Sequence, residues 1–239
     1  MTPLRSYSYS RLRRMPSTRS LFAGQHGSVD LSTANDVGVS LKSILESKSI
    51  PKVTFDIRHL SHILYHQHNV KLAGIHDLQL TELASRDRKE SKKHIAGLAK
   101  CVEQDVVPPS NEVRKRWLET SNVDEYHMFN VLGHAPRSSI KRVELFPTLW
   151  RIYRSRLQRA GEMFWLAQAR WETETRVTAS QLPKSRTMDR KEQTLGPETW
   201  YDYELRERRS DEWNDELMMK MKAGYELDED ANWVPMQHT

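Results

Sequence analysis

The sequence predicts an all-α protein: an extended multi-helix assembly with one long central amphipathic helix and an irregular basic N-terminal arm. Apolar residues recur at helical spacing along the stretch 146–171 and, less regularly, in several shorter segments. The first 29 residues are rich in Arg and Ser and contain no acid. Only 37% of the residues are hydrophobic and 29% are charged, so the core is limited and the elements should be extended or supported by partners.

The central helix is predicted over residues 146–177. Eight apolar residues in its first part are spaced by 4 or 3 positions and so lie on one face, called here the aromatic seam. Leu149 and Ile152 widen this face beyond a coiled-coil stripe, which suits burial among several helices. The 26 residues 146–171 span roughly 40 Å as a helix, so we expect other elements to cover its ends. The aromatic seam consists of Phe146, Trp150, Tyr153, Leu157, Ala160, Phe164, Ala167 and Trp171.

The segment 1–30 has the composition of a mitochondrial presequence. Five arginines precede Asp30, the first acid, in a Ser- and Thr-rich context. The alternative is a disordered basic arm that binds phosphates or acidic protein. Removing about 21 residues would lower the formal charge from +5 to zero, and a neutral protein is a poor general nucleic-acid binder. The five arginines are Arg5, Arg11, Arg13, Arg14 and Arg19.

The segment 31–107 is predicted to be an N-terminal helical region. A short helix capped by Asn35 or Asp36 should precede Pro51, and a second should run from about residue 54 to 72 and end at Gly74. Apolar residues at 78–83 and 95–102 predict a further helix or helix pair around a charged stretch. The charges there indicate a solvated surface.

The second predicted helix carries four histidines, and these do not predict a metal site. His59, His62 and His66 share a face, but no cysteine or carboxylate stands at the spacing that would complete a zinc site. His68 follows them. The single cysteine, Cys101, excludes an internal disulfide. We therefore expect no metal and no cofactor.

The segment 108–180 is predicted to be a central helical region that contains the long helix. Pro108 and Pro109 mark its start, and two short helices around Trp117 and around residues 126–132 precede the aromatic seam. They resemble a helix–turn–helix in spacing only. The second helix begins with Asp124 and Glu125, which would face phosphates, so DNA recognition is not expected.

The segment 181–239 is predicted to be a linker followed by an acidic C-terminal helix and tail. Pro197 should start the helix and Gly224 should end it. Residues 191–239 carry a net charge of −7, whereas the preceding 190 residues carry +12. Such a dipolar chain suits contacts with differently charged neighbours. Alternatively, the acidic tail folds back on the chain's own arginines.

Arginines beside the aromatic seam would allow the same helix to bind anionic partners. Arg154 and Arg159 could contact acidic protein, anionic lipid or RNA phosphate.

The residues Ile152, Tyr153 and Arg154 resemble the signature of the LYR-motif family, small mitochondrial helical proteins with Leu-Tyr-Arg near the start of their first helix. Here Ile152 replaces the leucine and the motif stands in mid-chain. No function is carried over from this resemblance.

The sequence favours a structural protein. It contains no Gly-rich phosphate loop, no HExxH and no nucleophile elbow. It also lacks an apolar run long enough for a transmembrane span. Seven tryptophans in a polar chain fit large protein interfaces. The predicted partner-binding residues are Phe146, Trp150, Tyr153, Arg154, Leu157, Arg159, Phe164, Trp171, Trp200 and Trp213.

We therefore expect a non-catalytic accessory subunit of a large mitochondrial inner-membrane energy-converting complex, an ATP synthase or a respiratory-chain complex. It would sit in the matrix or on the matrix side of the inner membrane. Its partners would be other protein subunits, with contact to anionic lipid. The alternative is a mitochondrial ribosomal protein whose basic arm contacts rRNA. A helical enzyme without a recognisable motif is the third hypothesis.

Overall fold

The computed structural model of the protein describes residues 30–87, 89–106, 115, 143–159, 161–182 and 194–236. These residues form eight helices and four short strands. The helices are α1 (Leu41–Glu46), α2 (Ile57–His68), α3 (Leu78–Ser85), α4 (Leu98–Asp105), α5 (Phe146–Leu157), α6 (Met163–Gln181), α7 (Glu198–Tyr201) and α8 (Tyr203–Lys222). The strands are β1 (Lys52–Thr54), β2 (Ile75–Asp77), β3 (Tyr225–Leu227) and β4 (Trp233–Pro235).

The all-α prediction is wrong, because two small sheets accompany the helices. Strands β1 and β2 pair in parallel, with Lys52 opposite Ile75, and α2 connects them. Strands β3 and β4 form an antiparallel hairpin after α8. Each strand is three residues long, which is too short for an alternating pattern to be recognised in a sequence.

The single long central helix predicted over residues 146–177 is also wrong. Helix α5 ends at Leu157, and α6 begins at Met163 and continues to Gln181. Gly161 between them has a φ of +86°, a conformation that an α-helix cannot contain and that glycine adopts without a Cβ penalty. A helix break therefore divides the aromatic seam.

The break changes which face of the second helix is buried. Helix α6 buries Leu166, Ala169 and Val177, whereas the predicted seam residue Trp171 is 48% exposed. A spacing counted through a helix break no longer describes one face, because the turn reorients the second helix. Ala160 lies outside the described residues.

Helix α3 is the centre of the described fold. All residues from Leu78 to Ala84 are buried, which is the pattern of a helix surrounded by other elements. One core cluster joins α3 to α4 and α5 through Leu78, Val102 and Tyr153. Another joins α3 to α6 and α7 through Leu83, Leu166 and Trp200. A third lies under α2: Ile57, Val70, Leu72, Ile75 and Val177.

Two helix boundaries in the N-terminal region differ from the prediction. Helix α1 begins at Leu41 with Ser40 as its cap, whose hydroxyl accepts from the Ser43 amide at 3.1 Å. Asn35 instead holds a turn by accepting from Val39. Helix α2 stops at Asn69, which has a positive φ, and so it ends before Gly74. Asparagine tolerates the left-handed conformation that terminates many helices.

The C-terminal segment forms a helix and a hairpin. Pro197 precedes the short helix α7, and α8 follows after Asp202, whose carboxylate accepts from the Leu205 amide. Lysines occupy the last turn of α8, and Gly224 lies just beyond with a φ of +81°. None of the residues of α8 is fully buried. Helix α8 therefore lies on the outside of the described fold.

Candidate functional site

A buried ionic cluster joins β2, α2, α3 and α6. Asp77 is its centre and is fully buried at the end of β2, where it also caps α3. One carboxylate oxygen accepts from the backbone amides of Asp56 at 2.9 Å and Gln79 at 3.0 Å. The other accepts from the amide of Ile57 at 3.2 Å. The carboxylate thus satisfies amides at the start of two helices.

A guanidinium completes this ionic cluster. Arg176 of α6 donates to Asp77 at 3.1 Å and to the side-chain oxygen of Gln79 at 3.2 Å. Beside it, Arg58 donates to Asp56 through two bonds of 2.7 Å. Burial raises the pKa of Asp77, while the Arg176 charge opposes that rise. Burial acts in the same direction on Asp56, but Arg58 outweighs it and the pKa of Asp56 is lowered.

The ionic cluster has a structural role. The oxygens of Asp77 are engaged by three amides and a guanidinium, in a position without solvent access. A carboxylate so engaged holds together elements that are distant in sequence. It ties α6 to the β1–α2–β2 unit.

A second buried cation stabilises the end of α3. The Lys92 ammonium donates to the carbonyls of Leu83, Ala84 and Arg86 at 2.8–3.0 Å, and it lies 4.5 Å from the ring centre of Trp165. Burial lowers the pKa of Lys92 to about 8. The positive charge complements the negative end of the helix dipole.

A polar cleft of about 400 Å³ lies between α3, α4 and the end of α5. Asp105 on its wall accepts from the Tyr153 hydroxyl at 2.9 Å and from Arg156 at 2.7 Å. The wall also carries Arg159 and Glu162. Cys101 is buried close to Tyr153, and burial raises the pKa of its thiol to about 12. Such a thiol is a poor nucleophile at neutral pH.

An acidic turn of residues 228–232 rests on basic and amide side chains, called here the arginine surface: Arg154, Gln158 and Arg170. Arg154 lies 2.9 Å from a carboxylate oxygen of Asp230 and 3.3 Å from one of Glu229. Gln158 and Arg170 donate to backbone carbonyls of the same turn. The acidic tail therefore folds back on the chain's own arginines, the alternative that the charge distribution left open.

The structure places the ten predicted partner-binding residues in three environments. Tyr153, Leu157 and Trp200 are buried by the chain itself. Half-buried positions hold Phe146, Trp150, Arg154, Phe164 and Trp213, where Phe164 and Trp213 pack with ring centres 6.2 Å apart. Trp171 and Arg159 are exposed. Arg209 of α8 lies 5.1 Å from the Trp171 ring, so the exposed tryptophan contacts an arginine of the outer helix.

The histidines of α2 contact neighbouring groups. A ring nitrogen of His62 lies 3.0 Å from the Ser180 carbonyl oxygen, and the rings of His62 and His66 are 4.4 Å apart. Within the residues that the structure describes, no group of three potential metal-binding side chains comes together. In the same part of the chain, no helix is both long and apolar enough to cross a bilayer.

Sequence reasoning missed Asp77, Arg176 and Lys92. Asp77 carries a recognisable signal, because an acid directly before an apolar helix is a frequent cap. Arg176 and Lys92 carry none, since their burial depends on partners elsewhere in the chain. The basic arm of residues 1–29 and the two helices expected between 110 and 132 lie outside the described residues, apart from Lys115.

Comparison with known proteins identifies one short similarity. A segment of 50 residues is 46% identical to the piRNA biogenesis protein EXD1 of Bombyx mori. The segment is 21% of this chain and covers 16% of that relative. No protein-family model matches the chain, so the resemblance to the LYR-motif family gains no support. No solved structure matches it either.

Proposed function

We propose that this protein is a non-catalytic subunit of an assembly that acts on or with RNA. The observation that carries this proposal is the 46% identity over 50 residues to a relative named for piRNA biogenesis. Because the match covers 16% of that relative, the proposal concerns the pathway and not the relative's whole activity.

The non-catalytic part of the proposal rests on the use of the buried charges. Asp77 accepts hydrogen bonds from Arg176 and from a backbone amide at the start of α2, and Lys92 donates to a carbonyl at the end of α3. Buried ionisable groups with perturbed pKa values often mark reaction centres, but structural ion pairs also shift the pKa values of their members. Here every bond of these three groups that the structure describes serves the fold.

The test is crosslinking in cells. The full chain, tagged at its C-terminus, is irradiated with ultraviolet light in living cells, purified under denaturing conditions and assayed for attached RNA. We expect RNA above the level of a tagged control protein of similar charge. A background level, together with co-migration of the native protein with a respiratory-chain complex or ATP synthase, would overturn the proposal.

The second candidate is the mitochondrial accessory subunit, which the composition of the arm favours. Five arginines without an acid in residues 1–29 are typical of an import signal. A reporter fused to residues 1–30 tests it. Mitochondrial import of the reporter supports this candidate, and a purely cytosolic reporter excludes it.

A further inference from the structure

The arginine surface and the acidic turn are held together by solvent-accessible contacts. The Arg154 side chain is 24% exposed, that of Asp230 is 39% exposed and that of Glu229 is 84% exposed. Ion pairs in such positions contribute little to stability, since water and salt screen them. Another anion can therefore compete for the guanidinium at small cost to the fold.

The shape of the acidic turn does not depend on the carboxylates of Glu229 and Asp230. Asp228 accepts from the amides of Asp230 at 2.9 Å and Asn232 at 2.8 Å, and from the Asn232 side chain at 2.8 Å. The Ala231 amide closes the turn on the Asp228 carbonyl, and Ala231 packs against the second core cluster. The bonds that close the turn are therefore made by Asp228, Ala231 and Asn232, while the carboxylates of Glu229 and Asp230 face the arginine surface.

The arginine surface continues beyond the part that the turn covers. Arg151 is exposed and stands three residues before Arg154, so it lies on the same side of α5. Arg170 of α6 donates to the Asp230 carbonyl. Two helices therefore present guanidinium groups toward one region, and guanidinium groups bind phosphate oxygens as well as carboxylates.

We propose that the arginine surface is a binding site for the phosphodiester backbone of single-stranded RNA, and that Glu229 and Asp230 occupy it as internal competitors. The choice of RNA rests on the proposed function. The carboxylates reduce the affinity of the resting protein, and a ligand with several linked phosphates displaces them.

The test compares two double variants of the full chain with equal charge changes. E229Q/D230N neutralises the competing carboxylates and keeps Asp228. D211N/D215N removes two exposed acids from α8 and serves as the matched control. Binding of a fluorescent single-stranded RNA of about 12 nucleotides is followed by anisotropy at about 0.15 M salt, where the Debye length is about 8 Å.

We expect E229Q/D230N to bind roughly three- to thirtyfold more tightly than the unaltered chain, the range that two exposed ion pairs represent. D211N/D215N should stay within about twofold, because long-range charge alone is screened. Adding R154Q and R170Q to E229Q/D230N should abolish the gain. Circular dichroism verifies that each variant is folded.

Three results would overturn the inference: no gain in E229Q/D230N, an equal gain in both double variants, or a gain that survives loss of both arginines. A gain for anionic lipid vesicles or an acidic peptide without one for RNA would overturn the choice of ligand. Crosslinking in cells separates this inference from the proposed function. RNA attached to the unaltered chain with no gain in E229Q/D230N leaves the function intact and places the contact elsewhere.

Discussion

Removal of the Arg176 charge should destabilise the protein strongly. Asp77 is 0% exposed and the Arg176 side chain 7%, and the two charges are 3.1 Å apart. Arg176→Met keeps much of the side-chain volume and leaves the carboxylate buried with amide donors only. Breaking a buried pair by removing one partner costs about 3–5 kcal/mol. A loss of this size is a large fraction of the stability of a typical domain.

A matched control lies in the same ionic cluster. Arg58 pairs with Asp56 in a position where the side chains are 23% and 35% exposed. Arg58→Met should cost about 1 kcal/mol or less, since water can replace the lost partner. Urea unfolding followed by circular dichroism measures both variants, and the shift of the midpoint at constant slope gives the difference.

The pH dependence distinguishes a lost charge from a lost packing contact. Burial raises the pKa of Asp77, and loss of Arg176 removes the charge that opposes this rise. Above the unfolded carboxyl pKa of about 3.9, the folded state then binds more protons than the unfolded state. Stability therefore falls as the pH rises, so the variant should lose more stability at about pH 7 than at about pH 5. Equal losses at both pH values, or equal costs for the two arginine variants, would refute this reasoning.

Three further predictions concern a histidine, a glycine and the cysteine of the described fold. Burial lowers the pKa of His76 to about 4, below its unfolded value of about 6.5, so the folded state favours the neutral imidazole. The stability that this contributes is present above about pH 6.5 and is lost on acidification, and the free energy of unfolding should fall by about 2 kcal/mol at about pH 5. His76→Gln should remove this pH dependence in urea titrations. A Cβ at Gly196 would lie 2.6 Å from a backbone oxygen, so Gly196→Ala should lower stability by about 1–3 kcal/mol in thermal unfolding, whereas Gly97→Ser, in open space, should be neutral. The thiol of Cys101 is buried with its pKa raised to about 12, so a disulfide reagent at neutral pH should modify it only after urea is added; immediate reaction in the folded protein would contradict this.

Local patterns in the sequence predicted helices but not all of their limits. The spacing around Ile57 and Leu60 identified α2, and Pro197 and Gly224 bounded the last helical segment. The regular spacing before and after Gly161 predicted one continuous helix, whereas the positive φ of Gly161 belongs to a break between two helices. Strands of three residues leave no period to read. Helix periodicity therefore located the helices, while the sheets and the break had to be observed.

Charge was predictable as a distribution and not as a set of pairs. The sequence by itself determined that an acidic C-terminal segment follows an arginine-rich centre. Tertiary structure decided that Asp230 meets Arg154, 76 residues away, and that Asp77 meets Arg176, 99 residues away. Spacing rules reach only a turn of helix or an adjacent strand position, because they describe local geometry. Contacts between distant residues depend on how the helices pack, and that packing depends on the whole chain.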